Sequence, residues 1–224
     1  MIVTLDGTAG VGKSSVARAI AKALEITYMD TGAMFRGVAL AAQRRNVEWK
    51  DADAMSAILP EVKLTFERVN GANHIFLNGE DIEPLIRTPN ISAGASAVAV
   101  LPVVRTFLLE LQRGMGESGS VVLEGRDTGT VVFPNAEHKF FLEASSEVRA
   151  QRRWSQLQEK GQPSPSVEEL QAQIEARDKQ DSEREVAPLR CADDAVRVDT
   201  SHRTLDEVIA HILSIIRERT SLAT

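Results

Sequence analysis

Cysteine is nearly missing from this chain of 224 residues, where Cys191 stands alone. A single thiol makes no intrachain disulfide and no multi-cysteine zinc site, so the fold must hold by packing, and a cytoplasmic setting is expected. The histidines, His74, His138, His202 and His211, share no metal-ligand spacing. Long apolar runs are missing too. The most apolar stretch, Ala93 to Val104, is broken by Gly94, Ser96 and Pro102 and falls far short of the ~20 residues of a membrane helix. The first residues, MIVTLDG, carry no basic segment, and Asp6 interrupts their apolar run, so no signal peptide is expected. Nor is there an excess of positive charge: 26 Lys and Arg against 32 Asp and Glu leave a net charge of −6. That excludes bulk electrostatic binding to nucleic acid polymers but leaves room for a local basic pocket. No repeat and no low-complexity tract interrupts the chain.

What remains is ordinary globular composition, 43% hydrophobic and 26% charged. A chain of this length buries roughly 70–75% of its unfolded surface without a staple, and one domain is expected. No long exposed apolar stripe demands a partner, so a monomer is expected.

Short apolar runs alternate with helical stretches. Ile2 to Leu5, Thr27 to Met29, Ser120 to Leu123, Lys139 to Leu142 and Ala195 to Val198 read as strands. Helices are expected from Lys13 to about Leu24, after Asp30-Thr31-Gly32 to about Arg45, over Asp51 to Leu59, over 89–116 with a break at Pro102, over Ser145 to Lys160, from Val167 to about Glu185, and over Leu205 to Arg219. Strands alternating with helices imply an α/β fold with a five-stranded parallel sheet. The texture differs over 61–87, where Asn70-Gly71 and Asn78-Gly79 separate short β-rich runs. Asn-Gly between such runs marks hairpins, so this segment reads as a small antiparallel insert.

The strongest local motif is Gly7-Thr8-Ala9-Gly10-Val11-Gly12-Lys13-Ser14, followed by Ser15. It matches the phosphate loop: glycine, four residues, Gly-Lys, then Ser or Thr, between a strand and a helix. Glycines let several N–H groups aim at one anion, and the helix N-terminus adds its dipole. Lys13 suits the β and γ phosphates of ATP, and the Ser14 hydroxyl suits Mg²⁺. GTPases, ATPases and kinases share this loop. The Asn-Lys-x-Asp segment of a guanine reader is absent.

Arginines fill in the picture. Arg36 follows the second strand, Arg105 lies in the helix after Pro102, and Arg126 follows the third core strand. The carboxyl ends of parallel strands form the ligand crevice, which places Asp30-Thr31-Gly32 and Glu124 to Asp127 there. Arg149, Arg152 and Arg153 share one helix face; Arg177, Asp181 and Arg184 share another. Arginine forks clamp phosphate and keep their charge. Two other readings compete at this level: a phosphoryl transfer with UMP as acceptor and, in a different class, a nucleotide-sensing module that binds ATP and recruits a partner.

The segments GTAGVGKSS, MDTGAMFR, IRTPNISAGASAVAVLPVVR, EGRDTGTVVFPNA, EVRAQRRWSQLQEKG, ARDKQDSEREVAP and ADDAVRVDTS, in this order and spacing, resemble the bacterial cytidylate kinases, members of the P-loop nucleoside monophosphate kinases. The resemblance runs from about Ile2 to Ile216. It implies a P-loop kinase core (1–60, 88–148 and 167–224), a β insert (about 61–87) and a helical lid (about 149–166). It implies transfer of the γ-phosphoryl of ATP, with Mg²⁺, to CMP or dCMP in pyrimidine metabolism. Gly10, Gly12, Lys13 and Ser14 then hold the ATP phosphates and Mg²⁺. Arg36 and Arg126 grip the acceptor phosphate. Thr31, Ser96, Arg105, Asp127 and Arg184 surround the cytosine, and Arg177 and Asp181 reach the ribose. Lys13, Arg126 and the lid arginines Arg149, Arg152 and Arg153 serve the transfer itself. Glu124 stands where the family usually has Asp, and Thr31 where Ser is common.

Overall fold

The computed structural model describes residues 1–117 and 119–222. The five-stranded sheet contains β1 (Ile2–Gly7), β2 (Thr27–Asp30), β6 (Val121–Glu124), β7 (His138–Glu143) and β8 (Val196–Asp199), in the order β2-β6-β1-β7-β8. β1 is central, parallel to β6 on one side and β7 on the other, with Val3 opposite Val122 and His138. Strands buried on both faces need continuous apolar runs, and Val3, Leu5, Val122, Phe140 and Leu142 are all within 1% of full burial. The expected strands are all present, most of them a residue or two longer than their apolar runs.

The chain divides into two compact units, Met1–Tyr28 with Ser120–Thr224, and Met29–Gly119. The first unit holds α1 (Lys13–Leu24), α6 (Ser146–Glu159), α7 (Val167–Glu183) and α8 (Leu205–Leu222). Val16 and Ile20 of α1 and Val208, Ile212 and Ile216 of α8 pack with the sheet residues in one core. That α8 stripe has the spacing of an amphipathic helix. A smaller core lies between α6 and α7, where Ala150, Leu157 and Leu170 meet Trp154 and Ile174. Ser166 caps α7 in a capping box with Glu169.

The second unit is contiguous. It holds α2 (Thr31–Arg44), α3 (Ala52–Ile58), the sheet of β3 (Leu64–Val69), β4 (Ala72–Leu77) and β5 (Glu80–Asp81), then α4 (Pro89–Val98) and α5 (Pro102–Glu117). The expected antiparallel insert is this three-stranded sheet, with Leu64 opposite Leu77 and Val69 opposite Ala72. Both Asn-Gly pairs lie in the left-handed region, with φ of 50° and 83° at Asn70-Gly71 and 52° and 85° at Asn78-Gly79, as tight hairpin turns require. Asp51 caps α3 by accepting the Ala54 N–H, as its position predicts. Trp49 is a packing residue: its ring fills the space beside Gly94, where a Cβ would lie 2.6 Å from it, and its Nε1–H donates to the Ala39 carbonyl. Among the described residues no single helix is long and apolar enough to cross a membrane.

Candidate functional site

The chain leaves β1 at Gly7, and the loop must pass close to β7: a Cβ on Gly7 would lie 2.2 Å from the Leu142 carbonyl oxygen. Gly10 and Gly12 adopt φ of 74° and 99°, the region open to glycine. Lys13 turns back over this loop. Its ammonium donates to the Gly7 carbonyl at 2.9 Å and the Thr8 carbonyl at 2.7 Å. Burial, and next the charge of Arg126, push the Lys13 pKa well below its ordinary value. Arg177 pushes the same way, while Glu124 and Asp6 oppose it. Lys13 therefore sits in a pocket short of negative charge, the condition that a polyphosphate relieves.

Ser14 opens the first turn of α1 and donates its hydroxyl to Glu124 Oε2 at 2.9 Å, while the Tyr28 hydroxyl donates to Glu124 Oε1. Glu124 ends β6 and is buried. A hydroxyl and a carboxylate side by side are hard oxygen donors, and they fit Mg²⁺ that arrives with a nucleotide and keeps most of its waters.

Past β6 the chain enters a π-helical turn over Thr128–Val132 that sequence patterning did not reveal. Asp6 holds this turn. Its carboxylate accepts from the Thr128 N–H at 2.9 Å, the Thr128 hydroxyl at 2.8 Å and the Gly129 N–H at 2.7 Å. Burial raises its pKa in spite of these bonds, and Asp127 adds to the rise. Arg126 and Asp127 are thus aimed by a residue next to the phosphate loop. Arg126 Nε donates to Asp181 at 2.9 Å and an Nη to the Gly125 carbonyl at 3.2 Å. Arg184 donates to Asp127 at 3.3 Å and to the Ala187 carbonyl at 2.6 Å. Arg184 also lies 3.9 Å from Asp181 Oδ1, which joins Arg126, Asp127, Asp181 and Arg184 in one largely buried ionic group. The influence of Arg177 on Lys13 ties that residue to the same region.

The helical arginines behave differently from one another. Arg149 is buried against the loop residue Ala9. Arg152 donates twice to Thr200, at 3.1 and 2.6 Å. Arg153 is exposed.

In the second unit, Asp30 caps α2 by accepting the Ala33 N–H at 2.9 Å, and Thr31 is buried in the first turn. Arg36 donates to Asp30 Oδ2 at 2.8 Å, and Arg87 reaches the same oxygen at 3.1 Å. The Arg36 Nε is buried without a hydrogen-bond partner. Burial alone would raise the Asp30 pKa, but the charges of Arg36 and Arg87 outweigh it and hold it below 3.8. Ser96 donates to the Ser92 carbonyl one turn back at 3.3 Å. Arg105 lies over the Phe35 ring at 5.5 Å and donates to the Ala99 carbonyl at 3.1 Å.

Sequence reasoning missed Asp6, Tyr28 and Arg87 as parts of these groups. Asp6 had a signal: an acid inside a buried strand, one residue before the glycine loop. Arg87 lies within a segment that carries the family resemblance.

Comparison with known proteins fits this picture. The family model described as cytidylate kinase matches residues 3–218. The chain belongs to the cytidylate kinase family. A cytidylate kinase of Geobacter sulfurreducens is 48% identical over 219 residues, spanning 98% of this chain and 94% of the relative. One of Syntrophotalea carbinolica is 46% identical over 219 residues, spanning 98% and 93%. A crystal structure of an uncharacterized protein from Eubacterium ventriosum is 12% identical, covers 97% of this chain and 98% of its own, and has a TM-score of 0.52, a likeness of fold alone. With the family in hand, the α/β core with its phosphate loop is a cytidylate kinase core, and the chain is a nucleotide-binding phosphotransferase.

Proposed function

We propose that this chain transfers the γ-phosphoryl group of ATP to CMP or dCMP, giving ADP and CDP or dCDP. It works as a monomer on free nucleotides in the cytoplasm. The observation that carries the reading is the buried Lys13 under the phosphate loop, with Ser14 and Glu124 beside it, in a chain of this family.

The loop N–H groups from Gly10 to Ser15 and the Lys13 ammonium bind the ATP phosphates. Mg²⁺, held through Ser14 and Glu124, supplies charge neutralisation at the phosphates when bound. Arg126, oriented by Asp181, and Arg36, oriented by Asp30, neutralise the acceptor phosphate. That phosphate is already ionised, so no general base is needed, and rate comes from placement and from charge set in advance. Asp127, held by Arg184, accepts from the exocyclic amine of cytosine. Ser96 and Thr31 offer hydroxyls, and Arg105 meets the base. Arg177 and Asp181 serve the ribose. Arg149 and Arg153 bring positive charge from α6, and the segment 149–166 acts as a lid that keeps water from the triphosphate.

A coupled assay with CMP, dCMP, UMP and AMP tests the reading. CMP and dCMP are expected to turn over well ahead of the others. Failure with CMP beside good turnover of another acceptor sinks the cytosine assignment, and failure with all four sinks the kinase.

A further inference from the structure

One peptide of the phosphate loop is gripped at both ends. The Ala9 N–H donates to Asp178 Oδ1 at 2.8 Å, and the Ala9 carbonyl accepts from an Arg149 Nη at 2.8 Å. The same Arg149 nitrogen donates to Asp178 Oδ2 at 2.5 Å, and Arg149 Nε donates to the Ala144 carbonyl at 2.9 Å. Carboxylate, guanidinium and loop peptide thus close a ring. A Cβ on Gly10 would lie 3.8 Å from the Arg149 Cβ and 3.9 Å from Ile174 Cδ1, so the next loop residue runs over α6 and α7. Both charged groups are largely buried, with the Arg149 side chain 6% exposed and that of Asp178 16%.

Asp178 also has informative neighbours on α7. Arg177, next to it, lowers the Lys13 pKa, and Asp181, three residues on, holds Arg126. One helix therefore touches the donor loop at Asp178 and the acceptor-side arginine at Asp181.

We propose that Asp178 is a positioning residue that, with Arg149, fixes the Ala9 peptide and couples the shape of the donor loop to the helix that orients Arg126. The coupling half rests on the reading of Arg126 and Asp181 as acceptor residues. Arg149 then has a second task besides its charge: it holds the loop. An amide and a carbonyl of one peptide, both bound to groups that are bound to each other, leave that peptide little freedom. The N–H groups beyond it are set before ATP arrives. Breaking such a buried pair from one side leaves a charge without its partner.

The test uses the full chain and four proteins: wild type, Asp178→Ala, Asp178→Asn and Glu175→Gln. Glu175 lies on the same helix and accepts from Ser146 of α6 and from Gln171. ATP binding is measured by calorimetry, the effect of CMP on it with a non-hydrolysable ATP analogue so that no transfer occurs, and KM and kcat for each substrate by steady-state assay. Asp178→Ala is expected to weaken ATP binding about tenfold, the scale of a lost charged hydrogen bond, and to abolish the change in ATP affinity that CMP causes. Asp178→Asn, which keeps an oxygen for the Ala9 N–H, falls between, and it carries the test if the alanine variant does not fold. Glu175→Gln matches wild type. The proposal is overturned if Asp178→Ala binds ATP as wild type does, or if Glu175→Gln loses as much, which would reduce the effect to helix packing. If CMP leaves ATP affinity unchanged in wild type, the coupling fails. A wild type that binds ATP but does not phosphorylate CMP overturns the acceptor reading instead, and ATP binding to the variants still decides the loop's anchoring.

Discussion

Lys13 in the first unit and Arg36 in the second are both cations close to a strand end, yet they are held by different kinds of partner. Lys13 rests on two backbone carbonyls of its own loop, at 2.9 and 2.7 Å. Arg36 rests on one side-chain oxygen, that of Asp30, which it shares with Arg87. Backbone acceptors lock the loop into the shape that the cation needs. Arg87 divides its fork between Asp30 and Glu83, so the two guanidiniums and two carboxylates balance, and what stays open is the buried Nε of Arg36, a donor with no partner. Such a donor costs free energy until an acceptor reaches it. The first arrangement sets the shape of the loop before a ligand arrives; the second leaves one donor open for an acceptor.

Substitutions can break or sharpen this contrast. The largest effect is expected for Lys13→Met: a fall in kcat of about a thousandfold, as for removal of a group that meets developing charge, with the far-ultraviolet dichroism unchanged. Arg36→Ala is expected to lower turnover of CMP by about a hundredfold while leaving ATP affinity, read by calorimetry, at the wild-type value. If both constants fell together, the two cations would not serve separate substrates. Asp127→Asn is expected to shift the CMP:UMP ratio of kcat/KM by about tenfold toward UMP, since the amide can donate where the carboxylate only accepts; an unchanged ratio would remove Asp127 from base reading. The smallest effect concerns pH. The Asp30 pKa is depressed, so its contribution to stability is present above its ordinary 3.8 and is lost as pH falls through the lower folded value. Arg87→Ala raises that value toward 3.8, and the acid limb of a melting-temperature profile should move to higher pH. No movement would show that Arg36 alone sets the charge of Asp30.

Local signals foretold local structure well. The limits of α1 follow from the loop before it and Glu25 after it, where the backbone turns left-handed. The hairpins follow from Asn-Gly. What the sequence hid depends on residues far apart along the chain. The π-helical turn has no periodicity of its own and exists because Asp6 bonds Thr128 and Gly129 across more than a hundred residues. The choice of partner among charged groups was equally hidden. Arg149, Arg152 and Arg153 look alike on one helix face, yet Ala9 and Asp178 claim the first, Thr200 claims the second, and the third is exposed. Asp30 gave notice of itself as a helix cap, but nothing in its spacing announced that Arg87 would share its oxygen.

The register of β1 has a consequence for the newborn chain. Ile2 pairs with Val121 and Val3 with His138, so the central strand is made first and its neighbours much later. At roughly 5–20 residues per second, the ribosome leaves those few apolar residues without a sheet for on the order of ten seconds. The antiparallel sheet of the segment Met29–Gly119 has no such wait, because its three strands pair with one another. Synthesis therefore completes the small antiparallel sheet while the phosphate loop still lacks the strands beside it. The central strand is made well before its partners and finds its place late, and any chaperone that shelters the nascent chain has the apolar run Ile2 to Leu5 to cover.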